Sequence, residues 1–186
     1  MRIIAGDWRG RALASVGKGD AGAHLRPTAD RVRESLFSML AGGRFGDPLP
    51  GAQVLDLFAG TGALGLEALS RGAAAAVFVD DGRVAQRLIR ENIDKLGAKA
   101  RASLVTRDAT RLGANPGAPA TLVFCDPPYG KGLGERALAA ALAGGWIAPG
   151  ALVVWEESAE VSPPDGLALL DARRYGDTII HLLEAS

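Results

Sequence analysis

The stretch Val54-Leu55-Asp56-Leu57-Phe58-Ala59-Gly60-Thr61-Gly62-Ala63-Leu64-Gly65-Leu66-Glu67-Ala68-Leu69 narrows the possible folds more than any other part of the chain. A short apolar run leads into a glycine-rich turn, and the turn opens a helical stretch. Gly60, Gly62 and Gly65 spell G-x-G-x-x-G, and Asp80 follows Gly60 by twenty residues, after the strand-like Ala76-Val77-Phe78-Val79. Strand, glycines, helix and acid in that order form the dinucleotide fingerprint. An adenosine cofactor on a Rossmann-like first crossover is therefore expected.

The fingerprint does not choose the cofactor, but Asp56 bears on the choice. It ends the first strand, four residues before Gly60. A pyrophosphate gains nothing from a carboxylate there, because like charges repel. The cationic amino acid end of S-adenosylmethionine gains from it, and the glycines let backbone approach the cofactor closely. Capping of the loop is the other role open to Asp56.

A second motif stands at the end of the apolar run Leu122-Val123-Phe124-Cys125: the tetrapeptide Asp126-Pro127-Pro128-Tyr129. An ionised Asp is an acceptor, and prolines lack N–H, so the backbone there offers carbonyls only. Tyr129 adds a flat ring for stacking. Two acceptors beside a ring suit an exocyclic –NH₂, whose hydrogens they would take while aiming the nitrogen lone pair outward. A proline-rich turn that merely closes a strand spells the same letters.

The remaining organisation is regular. Residues 2–5 and 11–15 read as a small hairpin, and residues 16–26 as a loop. Thr28 is placed to cap a helix over about 29–41, with Val32, Leu36, Phe37, Met39 and Leu40 on its apolar side. After residue 51, strands are expected near 53–58, 75–80, 101–106, 121–125 and 150–156. Helices are expected near 62–71, 83–96, 108–112 and 132–143. Such alternation implies a parallel sheet covered by helices on both faces. The tail reads as a hairpin, Leu167–Tyr175 and Thr178–Leu183 around Gly176-Asp177. The expected fold class is α/β: a mostly parallel seven-stranded sheet with an antiparallel C-terminal hairpin, the plan of class I methyltransferases. A small hairpin-helix extension (1–46) precedes the main domain (51–186).

Composition sets outer bounds. The chain has 186 residues, 48% hydrophobic and 23% charged, as in soluble globular proteins. No apolar run reaches membrane-spanning length, and the first residues do not read as a signal peptide. One cysteine, Cys125, excludes an internal disulfide and fits a reducing, cytoplasmic compartment. Two histidines and one cysteine do not supply a usual zinc site. Net charge is zero, yet residues 1–46 carry eight basic and four acidic side chains. A basic end on a neutral protein is an RNA-facing surface or ordinary solvated charge. Cys125 reads as a buried strand thiol, His24 as an exposed loop residue and His181 as a sheet residue. Trp8 either stacks on RNA or packs the hairpin. Glu156 ends the fifth strand, to support the pocket or pair with an arginine.

With these residues in view, the chain resembles the bacterial 16S ribosomal RNA guanine-N2 methyltransferases of the RsmD family. The resemblance rests on Met1-Arg2-Ile3-Ile4-Ala5-Gly6-Asp7-Trp8-Arg9-Gly10-Arg11, on Leu25-Arg26-Pro27-Thr28-Ala29-Asp30-Arg31-Val32-Arg33-Glu34, on the Asp56–Gly72 loop and helix, on Asp126-Pro127-Pro128-Tyr129, and on Tyr175-Gly176-Asp177-Thr178. The glycine loop and Asp-Pro-Pro-Tyr are common to many amino-methyltransferases; the two N-terminal motifs are the specific ones. The chain departs from the family after the second strand, where Asp80-Asp81-Gly82 stands in place of Glu, one residue, Asp.

The resemblance implies methyl transfer from S-adenosyl-L-methionine to the exocyclic N2 of one guanine in 16S rRNA, free or within a small subunit or assembly intermediate, by a monomer. It implies Asp126, Pro127 and Tyr129 as catalytic residues. Cofactor binding falls to Asp56, Phe58, Gly60, Gly62, Asp80 and Asp108, the last towards the adenine amino group or as a helix cap. Substrate binding falls to Arg26, Thr28, Arg31, Arg33 and Pro128. Arg31 and Arg33 diverge on a helix, so one is expected to face RNA and the other to pair with Asp30 or Glu34. Stacking on Tyr129 needs its ring and not its hydroxyl. Loss of residues 1–27 is expected to spare the sheet. The alternatives are a DNA adenine-N6 methyltransferase, which shares Asp-Pro-Pro-Tyr, and an NAD-dependent oxidoreductase, which shares the glycine loop.

Overall fold

The computed structural model describes residues 1–17 and 30–186. Arg26, Thr28, His24 and most of the expected 16–26 loop lie outside the described residues. The elements are α1 (Asp30–Ala41), β1 (Gln53–Leu57), α2 (Ala63–Ser70), β2 (Ala75–Val79), α3 (Arg83–Leu96), β3 (Ala102–Val105), β4 (Ala120–Cys125), α4 (Leu133–Ala143), β5 (Ile147–Glu157), β6 (Leu167–Tyr175) and β7 (Thr178–Ala185). They build a seven-stranded sheet in the order β3-β2-β1-β4-β5-β7-β6. Strands β1 to β5 pair in parallel, and β7 pairs antiparallel with both β5 and β6. This is the class I methyltransferase fold. No helix among the described residues is long and apolar enough to cross a membrane.

The central strands are apolar throughout because both faces are covered. Val54, Phe124 and Val154 join a core on one face with α1, α2, α3 and the N-terminal segment. Leu55, Val123 and Val153 join a second core on the other face with α4. Alternation of side chains along each strand divides neighbours between the two. Helix α1 buries Leu36, Phe37 and Leu40. Each such burial is worth roughly 1.5–3 kcal/mol, which fixes α1 to the sheet. Phe37 lies 5.7 Å from the Phe124 ring, with the Arg71 guanidinium 4.9 Å from its own.

Three expected boundaries shift. Strand β5 begins at Ile147 rather than near 150, because Pro149-Gly150 does not end pairing: it shifts register, with Ala120 opposite Ile147 and Leu122 opposite Leu152. The helix expected near 108–112 is a 3-10 helix of three residues, Ala109–Arg111. The N-terminal hairpin reduces to one antiparallel bridge, Arg2 to Ala12.

Backbone bonds from the Ile3 N–H to the Arg11 carbonyl (3.0 Å), from Gly10 to Ile3 (2.8 Å) and from Leu13 to Met1 (3.1 Å) close the short hairpin, and helix α2 holds it in place. Glu67, fully buried, accepts hydrogen bonds from the Ile4 N–H (2.8 Å), the Ala5 N–H (3.0 Å) and Arg71 Nε (2.8 Å). Ser70 Oγ donates to the Ala5 carbonyl (2.6 Å) and accepts from the Trp8 N–H (3.0 Å). The Ser70 carbonyl accepts from the Asp7 N–H at 2.8 Å. A Cβ on Gly6 would stand 1.8 Å from that carbonyl, and Gly6 has φ +81°, so only glycine permits this contact. Ile3 and Leu13 complete the attachment within the shared core. The expectation that residues 1–27 are dispensable for the sheet is therefore corrected: their loss strands a buried carboxylate and opens an apolar surface. Glu67→Ala should lower unfolding free energy by about 2–5 kcal/mol, since two N–H groups and a guanidinium lose their partner; urea denaturation measures it.

Candidate active site

The site forms where the strand order reverses. β1 lies between β2 and β4, and in such sheets a crevice opens beyond the carboxyl ends of the strands at that point. Leu57 is in register with Cys125, so Phe58 and Asp126 leave the sheet side by side. The Asp126 N–H points to the Leu57 carbonyl at 3.4 Å. Two motifs almost seventy residues apart in sequence thus share one strand end.

Asp56 lies beneath this crevice, 1% exposed. Its Oδ2 accepts from the Gly65 N–H at 2.9 Å, which ties the first turn of α2 to the end of β1. This is the loop-capping role, displayed directly. Burial pushes the Asp56 carboxyl up to about 8, opposed by the Gly65 N–H and reinforced by nearby Asp80. Gly65 is required by packing: a Cβ there would lie 2.4 Å from Phe78 Cε1. It brings α2 against β2 rather than opening a path to a ligand.

Asp80 leaves β2 and grips the loop twice. Oδ2 accepts from the Gly60 N–H (2.9 Å) and Oδ1 from the Gly82 N–H (2.8 Å). Burial raises its carboxyl, while both N–H groups act in the opposite direction. Gly82 precedes α3, and its donor to Asp80 is a backbone N–H. Phe58 has φ +59° and Gly62 φ +78°. A left-handed phenylalanine is strained by about 1–3 kcal/mol, and such strain gathers at functional sites. Asp108 caps the 3-10 helix: its Oδ1 accepts from the Thr110 N–H (2.8 Å) and Oγ1 (2.7 Å). Those hydrogen bonds hold its carboxyl below the ordinary range.

Beyond β4, Pro127 is buried, Asp126 and Tyr129 are half-buried, and Pro128 is exposed. The Tyr129 hydroxyl is not idle. It donates to Glu156 Oε1 at 2.7 Å and lies 3.0 Å from Thr178 Oγ1. Burial, and then the bond to Glu156, push its ionisation far above the usual phenol range. The adjacent Gly130 N–H donates to Glu157 Oε1 at 3.2 Å. Cys125 is a buried thiol whose ionisation burial suppresses, so it is no nucleophile.

The N-terminal residues divide. Arg31 is exposed. Arg33 is fully buried, donates to the Arg2 carbonyl and pairs with Asp30 Oδ1 at 3.1 Å. Its expected substrate role is corrected: it anchors α1 to the hairpin, and no surface presents it to RNA. Trp8 packs, with the Arg101 guanidinium 5.1 Å from its ring centre. His181 is buried in β7, 3.3 Å from the Trp155 carbonyl.

Sequence reasoning missed Asn92, Glu157 and Thr178 as site residues. Asn92 is fully buried; its Nδ2 donates to the Thr61 carbonyl (2.9 Å) and the Ala14 carbonyl (3.2 Å), and its Oδ1 accepts from the Ala14 N–H (2.6 Å). It joins the glycine loop to the N-terminal segment. One signal existed: a polar residue inside the apolar stripe Leu88, Ile89, Ile93, Leu96 of α3.

Comparison with known proteins agrees with this geometry. The family described as Conserved hypothetical protein 95 matches residues 1–184. Ribosomal RNA small subunit methyltransferase D of Escherichia coli (strain K12) is 44% identical over 165 residues, 88% of this chain and 78% of that protein. This chain belongs to the RsmD family of rRNA methyltransferases. The RsmD relative from Haemophilus influenzae is 32% identical over 181 residues, 95% of this chain and 89% of that protein. Among solved structures, yhhF from Escherichia coli superposes with a TM-score of 0.84 at 38% identity, covering 100% of this chain and 97% of that one. Its membership in the RsmD family makes this chain an RNA methyltransferase.

The burial of Asp56 has a pH signature. The folded chain keeps the Asp56 proton up to about pH 8, whereas an unfolded one releases it near the ordinary 3.8. Between those values the folded state binds more protons, so stability falls as pH rises, and Asp80 adds to the same slope. Asp56→Asn keeps an acceptor for Gly65 and removes the proton. Urea midpoints from about pH 5 to 9 should fall less steeply for the variant than for the wild type; parallel slopes would place the titration elsewhere.

Proposed function

We propose that this chain transfers a methyl group from S-adenosylmethionine to the exocyclic N2 of a guanine in small-subunit rRNA. The observation that carries the reading is the β1–β4 register, which sets Asp126 beside Phe58 at the mouth of the glycine loop. The names of the RsmD relatives from Escherichia coli and Haemophilus influenzae support small-subunit rRNA as substrate. The contribution of the cofactor is an electrophilic methyl on a cationic sulfonium.

The residues present fit that cofactor. Asp80 stands half-exposed at the end of β2 with two acceptor oxygens, the chemistry that two ribose hydroxyls require. Phe58, Gly60 and Gly62 present backbone to the crevice. Asp56 is protonated in the free protein below about pH 8, and a cationic amino acid end would draw it into the ionised form, whereas a pyrophosphate would oppose that. Asp108, beyond β3, would accept from the adenine amino group through the carboxylate that Thr110 also holds.

An aryl amine is a weak nucleophile because its lone pair is delocalised into the ring. Asp126 and the Pro127 carbonyl would accept its two hydrogens and turn the lone pair out of the ring plane. No prior deprotonation is needed: the N–CH₃ bond would form as the S–CH₃ bond breaks to leave a neutral thioether, and the nitrogen would then give up one proton to Asp126 and on to water. Asp126 stabilises the positive charge that develops on nitrogen, and its position sets the line of approach. Tyr129 stacks on the guanine, and exposed Pro128 adds an apolar edge. On the RNA side, Arg2 and Arg9 line a cavity of about 330 Å³ between hairpin and α1, with Asp30 and Glu34 of α1 on its other side. With exposed Arg31 they make this end the proposed contact for the rRNA backbone; the expected contacts Arg26 and Thr28 lie outside the described residues.

Asp126→Ala should reduce single-turnover methylation of rRNA by more than about a hundredfold, the loss of a group aimed at developing charge. Titration calorimetry should show S-adenosylmethionine affinity within a few-fold of wild type. Asp80→Ala should instead weaken that affinity by about 1–3 kcal/mol. Nucleoside mass spectrometry of rRNA from a deletion strain should lack N2-methylguanosine at one site. An unchanged rRNA profile with a loss of N6-methyladenine from DNA would favour the adenine reading, and tighter binding of NAD would favour the oxidoreductase.

A further inference from the structure

The end of β5 and the start of β7 reach the loop that follows Asp126. Consecutive residues on a strand face opposite sides of the sheet. Glu156 and Glu157 therefore leave β5 on opposite faces, yet both end on the same loop. Glu156 takes the Tyr129 hydroxyl at 2.7 Å, and Glu157 takes the Gly130 N–H at 3.2 Å. Thr178, the first residue of β7, places its Oγ1 3.0 Å from the same hydroxyl. Both carboxylates are buried, at 8% and 7% exposure, so these bonds are shielded from water and hold better than surface contacts. Glu157 is itself fixed by the Ser158 N–H (2.8 Å) and Oγ (3.1 Å).

A ring that stacks on a base must hold one plane, and a half-buried tyrosine on a proline-rich loop does not hold it unaided. The hydroxyl contributes nothing to stacking, and it is the atom that the fold secures. We infer that Glu156 and Thr178 are positioning residues that lock the plane of the Tyr129 ring, with Glu157 clamping the loop backbone beside it. The C-terminal hairpin is thereby part of the methyl-transfer site through Thr178. This inference rests on the proposed stacking role of Tyr129, and it reverses the expectation that the hydroxyl is dispensable.

The test uses the full chain with S-adenosylmethionine and rRNA. Tyr129→Phe and Glu156→Ala should each lower the single-turnover rate about tenfold, the scale of one hydrogen bond to a charged group. Cofactor affinity and thermal midpoint should stay close to wild type. The Tyr129→Phe/Glu156→Ala double variant should be no slower than the slower single, because the bond between Tyr129 and Glu156 is already lost in each. Glu156→Gln, which keeps an acceptor, should restore most of the rate, and Thr178→Val should give a smaller loss. Additive losses, or a wild-type rate in Glu156→Ala, would overturn the inference.

A second measurement does not depend on turnover. Ultraviolet titration of the two tyrosines, Tyr129 and Tyr175, should show one that resists ionisation in the wild type. That one should ionise at lower pH in Glu156→Ala and, if this variant does not fold, in Glu156→Gln. No change in either would overturn the tether. If the wild type failed to methylate rRNA, or Asp126→Ala kept its rate, the proposed reaction would fall while this titration still decided the tether.

Discussion

The parallel pairing of β1 with β4 is the constraint on which the site depends. Each strand alone ends in a loop of ordinary polar and small residues. In register, Val54 opposite Leu122 and Leu57 opposite Cys125, they bring Asp56, Phe58 and Asp126 to one place. A shift of one residue would turn Asp56 and Phe124 to the opposite faces and fail both cores at once. The two apolar layers, one under α2 and α3 and the other under α4, therefore fix the chemistry as firmly as they fix the fold. Sheet burial and site geometry are one requirement here.

Around that pairing, buried and half-buried carboxylates serve as organisers. Asp56 holds the start of α2, Asp80 holds Gly60 and Gly82, Glu67 holds the N-terminal hairpin, and Glu156 and Glu157 hold the loop after Asp126. In each case the partner includes a backbone N–H or a hydroxyl rather than only a cation. A buried carboxylate satisfied by oriented N–H groups defines position to within a hydrogen-bond length, whereas a surface ion pair is screened and mobile. The raised carboxyls of Asp56 and Asp80 are the consequence of that burial.

Much of this was legible in the chain. Alternating apolar runs and glycines gave the strand and helix order, because the periods of helix and strand are dictated by backbone geometry. The C-terminal hairpin was visible at Gly176-Asp177, a dipeptide suited to tight turns. Boundaries slipped where a local rule met a tertiary demand. Pro149-Gly150 reads as a breaker, yet β5 continues across it because β4 offers a partner edge. Arg33 reads as a surface cation beside Arg31, yet α1 packs with Arg33 turned inward, onto the Arg2 carbonyl. No periodicity distinguishes those two arginines, since the face a helix presents is set by what it packs on.

By itself, the sequence determined the class of protein: a parallel α/β sheet, a glycine loop at its first crossover, and an acceptor-rich motif at a later strand end. These follow from local rules, the backbone freedom of glycine, the missing N–H of proline and the alternation of apolar residues. Tertiary structure alone decided which side chains support the site. Glu67 docks the hairpin because Gly6 lets it approach Ser70, Asn92 links Thr61 to Ala14, and Glu156 meets Tyr129 across 27 positions. Such contacts depend on the distance between chain segments after folding, a quantity that no local pattern of residues encodes.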